Sequence, residues 1–396
     1  MAAQRTISLP VNPDVLVWAR TRAGFGVEDV ADKLGTAEDR VQEWESGEKG
    51  PTPRQARRLA KLYDRPFLEF FSRTIPDIPG VNLVPDFRLF STPPTEAELR
   101  ALRGIQQWAE EQRTNALSLI EDLGERPVVL SENLRFKVTD NAETAATIAR
   151  EAMGFSREDQ IGRPRADRDK IPSILRDRIE AMGVLVLKQS SLIKLRARGM
   201  CLFAAPMSVI IFGGEAPGAQ AFTLAHEFGH VLISTSAISG GPVVDTPTTS
   251  PKRLIENWCN RFAAAFLMPA EWLAEIELRP DIPKSTFSTA RLSKLADAFA
   301  VSRHAMLVRL VSLGYVDSAF YWKTMRPMFL REEAEFKSQG RSAYYGKRYV
   351  NSRGNLYTGL VIEAWGAGLI TGHNAAEYMG IKNLAHLDDI RNERRN

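Results

Sequence analysis

Cysteine is nearly absent: Cys201 and Cys259 are the two in 396 residues. A chain this long can build its own core, so two cysteines fit a reducing, cytoplasmic setting better than a disulfide scaffold. Long apolar runs are missing too. The richest, residues 207–212, is far short of the roughly 18 apolar residues a membrane span needs. The first residues, MAAQRTISLPVNP, lack the apolar stretch of a secretory signal, so no membrane partner is expected. Neither sign of charge dominates. A net charge of +4 permits nucleic-acid contact without demanding it. There is no repeat or low-complexity tract. Histidine is scarce, five in all, so its placement carries information.

Punctuation divides the chain. A helical unit spans residues 1–75, and a Pro-rich linker with a connecting helix spans 76–124. In the linker Pro76, Pro79, Pro85, Pro93 and Pro94 favour extended or turn backbone. In the connecting helix Leu102, Ile105, Ala109, Gln112, Ala116, Leu119 and Leu123 recur at steps of three and four, the spacing of one helix face. Residues 125–284 mix types. Helices are expected at 142–152 and 170–182 and a strand at 183–187. A hairpin split by Ala205-Pro206 follows, then helices at 220–234 and 252–268 around a Gly/Pro/Thr loop. Residues 285–396 read as mostly helical. The fold class is α+β: an all-α helix-turn-helix bundle, a mixed unit with a small sheet, and a helical C-terminal region.

The sharpest chemical signal is His226-Glu227-Phe228-Gly229-His230. Four helical residues turn through about 400°, so both imidazoles lie on one face, one turn apart, where they can share a zinc ion. Glu227 follows the first histidine and can take a proton from water without being a ligand. A catalytic zinc commonly has three protein ligands. His304, His373 and His386 are distant in sequence, whereas Glu256 lies on the returning helix among Ile255, Trp258, Phe262 and Phe266. A carboxylate in such company is costly without a cation. Asn260, one turn on, orients a ligand or makes an unrelated helix-to-helix hydrogen bond. Cys259 reads as a small buried hydrophobe rather than a ligand.

Two blocks in order, Phe222-Thr223-Leu224-Ala225-His226-Glu227-Phe228-Gly229-His230 and Glu256-x-x-Cys259-Asn260-Arg261-Phe262-Ala263-Ala264-x-Phe266-Leu267-Met268-Pro269, resemble the ImmA/IrrE family of zinc metallopeptidases. Pro85-Asp86-Phe87-Arg88 is similar to the segment joining the two parts of its two-domain members. The resemblance implies a zincin-like, gluzincin-like endopeptidase domain with Zn²⁺ on His226, His230 and Glu256 and with Glu227 as the catalytic base. It further implies cleavage of an Xre-type DNA-binding repressor, derepressing stress-response or mobile-element genes. A zinc-containing transcription regulator that senses without turnover, and a toxin–antitoxin component, are the alternatives. Many members carry a basic residue just before the first block, where this chain has Gln220 and Ala221.

Residues 13–72 read as four or five short helices, with a tight turn at Gly35 and Thr36 placed to cap the third. Trp44-x-x-Gly47, Pro51-Thr52, Leu59-Ala60 and Tyr63-x-x-Pro66-Phe67 resemble the Xre-type helix-turn-helix family. For DNA binding, Arg40 and Gln42 are the candidate base readers, and Arg54, Arg57 and Arg58 a phosphate-contacting face. Glu38 and Asp39 at the start of the third helix oppose DNA, so docking onto a protein is the competing use. Residues 320–353 carry eight Lys/Arg against three Asp/Glu, interleaved with Tyr321, Trp322, Phe336, Tyr344, Tyr345 and Tyr349. That mixture suits nucleic acid or an acidic peptide, or a solvated helix whose rings pack inward. Residues 292–310 look like a second helix-turn-helix or a packing element of the peptidase.

Overall fold

The structure is a computed structural model that describes residues 8–63, 65–76, 83–86, 93–161, 163–276, 287–335 and 344–395. Phe87, Arg88, Phe336 and most of the Pro-rich linker lie outside these residues. The chain divides into two compact units, Met1–Asn82 with Pro93–Gly104, and Leu83–Thr92 with Ile105–Asn396.

In the first unit α1 (Pro13–Arg22), α2 (Val27–Leu34), α3 (Glu38–Ser46) and α4 (Pro53–Tyr63) precede a short 3₁₀ turn at Phe67–Phe71. Asn12 caps α1, its side chain accepting from the Asp14 N–H, and Pro13 fills the first helical position, where no donor is needed. Val15, Leu16, Val30, Val41, Trp44, Leu59 and Phe70 form the core. Arg20 forks onto Glu45 at 2.6 and 2.8 Å, tying α1 to α3. Thr36 does not cap α3. The cap position is Ala37, without a side-chain bond, because the chain leaves the Gly35 turn one residue later than the Thr36 reading requires.

α5 (Glu96–Asp122) begins in the first unit and from Ile105 belongs to the second, where it buries Ile105, Ala109, Gln112, Ala116 and Leu119, the face the spacing marks. Then come α6 (Ala142–Met153), the single turn α7 (Arg165–Arg168) and α8 (Ile171–Ala181). A four-stranded sheet follows: β1 (Leu185–Lys188), β2 (Gly199–Leu202), β3 (Val209–Phe212) and β4 (Ala237–Ser239) in the order β1-β3-β2-β4. β1 runs parallel to β3, and β2 is antiparallel to β3 and β4. Residues of β2 and β3 are buried on both faces, which is why they read as unbroken apolar runs. Between β3 and β4 lies α9 (Pro217–Leu232), and after β4 comes α10 (Pro251–Leu267). α10 packs on α9 and α6. Their close crossing needs Gly229: a Cβ there would stand 3.2 Å from the Phe262 ring and 3.5 Å from the Cys259 Cα. Proline at the start of both helices, with Ala216 and Ser250 extended before them, sets where each begins.

The remaining helices are α11 (Ala270–Glu275), α12 (Thr289–Ala298), α13 (Arg303–Ser312), α14 (Ser318–Phe320), α15 (Arg326–Glu335), α16 (Tyr345–Gly366), α17 (Gly372–Met379) and α18 (Ala385–Arg395). Leu292, Leu295, Phe299, Met306 and Leu307 join the same core as α9 and α10. That is the packing role of the second helix-turn-helix pattern. α16 breaks at Gly354, and there the buried pair Arg176–Glu180 of α8 meets it. Arg176 donates to the Asn351 carbonyl at 2.7 Å, and Glu180 accepts the Leu356 N–H at 2.8 Å.

Candidate metal centre

α9 is buried along its length from Ala221, so His226 and His230 reach the interior together. Their Nε2 atoms lie 3.2 Å apart. Glu256 arrives from α10, with Oε1 3.0 Å from His230 Nε2 and Oε2 3.5 Å from His226 Nε2. Two atoms on bonds of about 2.05 Å to one tetrahedral ion would stand about 3.3 Å apart, so the three donors are spaced as zinc ligands are. Among the described residues they form the one group of three or more His, Cys, Asp or Glu side chains close enough to share an ion. The histidine side chains are closed off, whereas that of Glu256 keeps 15% of its surface exposed. The centre therefore opens on the Glu256 side, into a cleft of about 930 Å³.

Glu227 is completely buried; among the described residues neither carboxylate oxygen has a partner in regular hydrogen-bond geometry, and the Ser239 hydroxyl is the side-chain donor that favours its ionised form. An unpaired buried carboxylate is costly. Burial pushes its pKa up to about 8, opposed by His226 and reinforced by the negative charge of Glu256. Glu256 itself is held at about 2: burial alone would raise it, and the two histidines outweigh that. Burial favours neutral His226, but Glu256, then Glu227 and Asn260, outweigh it and raise the imidazole above its usual range. In His230 burial wins and lowers it.

The room for Glu227 comes from a residue the sequence reading missed. Gly199 opens β2, and a Cβ there would lie 2.3 Å from Glu227 Oε1 and 2.6 Å from its Cγ. β4, also unexpected, brings Ser239 Oγ to 3.4 Å from His230 Nε2. Arg198, just before Gly199, binds Glu215 at 2.6 Å and also Glu333. Glu215 accepts from Thr223 on α9 at 2.7 Å. Glu333 meets His304, whose other ring nitrogen lies 3.0 Å from the Tyr321 hydroxyl. His304 is therefore engaged outside the metal cluster.

Residues 180–311 match the family model of the IrrE N-terminal-like domain, peptidase M78. Residues 15–67 match a helix-turn-helix domain model. No curated protein matches the chain. The IrrE N-terminal-like region spans β1–β4, α9 to α12 and nearly all of α13, and so holds all four centre residues. In place of a basic residue before the motif it has Gln220, whose side-chain oxygen accepts from Lys188 of β1 at 3.2 Å, so a cation still stands there. Asn260 lies beside His226 and is one of the groups favouring its charged form. Cys259 is buried and unbonded, and burial raises its thiol well above the usual value, which suits a packing residue. In the helix-turn-helix region Arg40, Gln42, Arg54, Arg57 and Arg58 are all exposed. Arg40 is paired with Glu43 at 2.9 Å. Arg57 lies over the Phe67 ring. Arg58 donates to the Leu34 and Lys33 carbonyls at 2.9 Å each, closing the C-terminus of α2. Among the described residues no helix is long and apolar enough to cross a membrane.

Proposed function

We propose that this chain is a zinc-dependent endopeptidase that cleaves a DNA-binding repressor of the Xre type and so derepresses the genes that repressor controls, those of a stress response or a mobile element. Its setting is the cytoplasm. His226, His230 and Glu256 hold the ion, and Asn260 steadies His226. Zinc, when bound, supplies Lewis-acid chemistry, lowering the pKa of water and polarising a carbonyl. Glu227 takes the proton from the attacking water and passes it to the leaving amine. Burial makes this carboxyl hold a proton more firmly than an exposed one, while a cation held by the three ligands would favour its ionised form. The buried walls around Glu227 keep bulk water from that proton. The observation that carries the reading is this carboxylate, fully buried beside the three-ligand set with no regular hydrogen bond to either oxygen.

A zinc-holding regulator or sensor without turnover, or a toxin–antitoxin component, would need the ligands but no buried base, and the cost of burying Glu227 favours turnover. The helix-turn-helix domain brings the enzyme to its repressor or to DNA. The test is to incubate the zinc-loaded protein with each DNA-binding repressor found encoded near its gene and follow the products by mass spectrometry. One defined cut, absent with Glu227→Gln, is expected. An intact repressor with the wild-type protein would turn the reading toward the sensor.

A further inference from the structure

The charges of the cleft beside Glu256 do not balance. Lys252, Arg253 and Arg326 line it together with Arg196 and Arg198, against Asp86, Glu256 and Glu333. Arg198 is spent on Glu215 and Glu333, and Glu256 belongs to the metal-binding trio. Lys252, Arg253 and Arg326 have no ion-pair partner among the described residues. Arg253 donates to the neutral Thr246 hydroxyl at 3.3 Å, and Arg326 lies over the Trp322 ring at 5.2 Å and beside the Tyr321 hydroxyl, all of them neutral partners.

Folding does not explain this placement. Lys252 and Arg253 occupy the first turn of α10, where the helix dipole opposes cations, and that turn has no acidic residue to offset them. They precede Glu256 by four and three residues, so all three share one helix face with Cβ atoms about 5–6 Å apart. Arg326 and Trp322 come from the start of α15 and the turn before it, so separate elements deliver the cations to one cleft. An extended peptide advances about 3.3 Å per residue. A substrate whose scissile bond lies at the three ligands therefore brings its next one or two side chains to the cations. Extended backbone already lies against this wall: the Ile238 N–H of β4 donates to the Pro85 carbonyl at 2.9 Å, and Asp86 bridges to Ile238.

We propose that the cleft selects a substrate segment carrying an Asp or Glu within two residues of the scissile bond, recognised by Lys252, Arg253 and Arg326. The inference rests on the peptidase reading above and adds to it the class of sequence that is cut.

The test uses the full-length, zinc-loaded protein. A mixed peptide library read by mass spectrometry finds a cut sequence. Matched quenched-fluorescence peptides then carry Glu or Gln at each of the two positions on either side of the cut. At one or more positions the Glu peptide should have a kcat/KM about tenfold higher at low salt, the combined scale of a few part-exposed ion pairs. The preference should shrink in high salt and reverse in the double variant K252E/R253E, checked for folding by circular dichroism. In parallel, the Glu227→Gln variant should bind the labelled Glu peptide more tightly than the Gln peptide by fluorescence anisotropy. Equal cleavage of the two peptides at every position would overturn the inference, as would an unchanged preference in folded K252E/R253E. If the wild-type protein cuts no peptide, the peptidase reading fails. The binding arm then decides the inference separately, and equal binding of the two peptides overturns it.

Discussion

Gly199 and Glu227 stand closer than any side chain at position 199 would allow. Both lie in the buried interior, so an added methyl group cannot be relieved by motion into solvent. Gly199→Ala should displace the Glu227 carboxylate while sparing the ligands. Zinc content should persist while cleavage falls on the order of 10²-fold, the scale of losing a general base. Glu227→Gln should give the same pair of results with the shape preserved. A Gly199→Ala protein of normal activity would show that the close approach does not position the base. The ligands carry their own pH signature. His226 holds its proton to higher pH than an ordinary imidazole, and Glu256, at about 2, stays ionised throughout. Metal must displace that proton, so zinc affinity should already weaken above pH 6.5 and continue to fall below it. A titration with a zinc-buffered indicator between pH 8 and 5.5 checks this, and a flat profile would contradict it.

At the scale of elements, the Arg176–Glu180 pair fastens α8 to the break in α16. Removing one partner leaves the other charge buried, so Arg176→Met should cost about 3 kcal/mol in denaturant unfolding. Burial raises Glu180 to about 7 from an unfolded value near 4.5. The folded state therefore binds more protons between these values, and this contribution, full below pH 4.5, is lost as pH rises through 7. Glu180→Gln should flatten that part of the stability profile, and an unaltered profile would place the titration elsewhere. Other elements differ in how much of them shows in the sequence. α9 and α10 are readable because long apolar faces, initial prolines and a stop at Pro269 mark them locally. The clustering of His226, His230 and Glu256 is readable because one turn separates the histidines and an apolar helix makes Glu256 costly. β4 is not readable: three residues beside a glycine pair carry no period. Gly199 and the Arg198–Glu215–Glu333 links were missed because their meaning lies in partners 17 to 135 residues away, which no local pattern reveals.

For the molecule as a whole, a helix-turn-helix domain and an IrrE N-terminal-like domain sit in one chain, and each can be probed while the other remains. If the first grips DNA, affinity should fall steeply with salt as phosphate contacts release counterions, and Arg54→Ala or Arg57→Ala should weaken binding evenly across sequences. Arg58→Ala should instead lower the melting temperature, since Arg58 closes α2. Gel shifts at two salt concentrations, with a thermal melt of each variant, separate these outcomes. Salt-insensitive or absent DNA binding with slower repressor cleavage would assign the domain to docking. The central claim, that His226, His230 and Glu256 hold a catalytic zinc, is tested most directly by elemental analysis of purified wild-type, His226→Ala, His230→Ala and Glu227→Gln proteins. The account predicts about one zinc per chain in the wild type and in Glu227→Gln, and little in either histidine variant. Near-stoichiometric zinc in the histidine variants would contradict it.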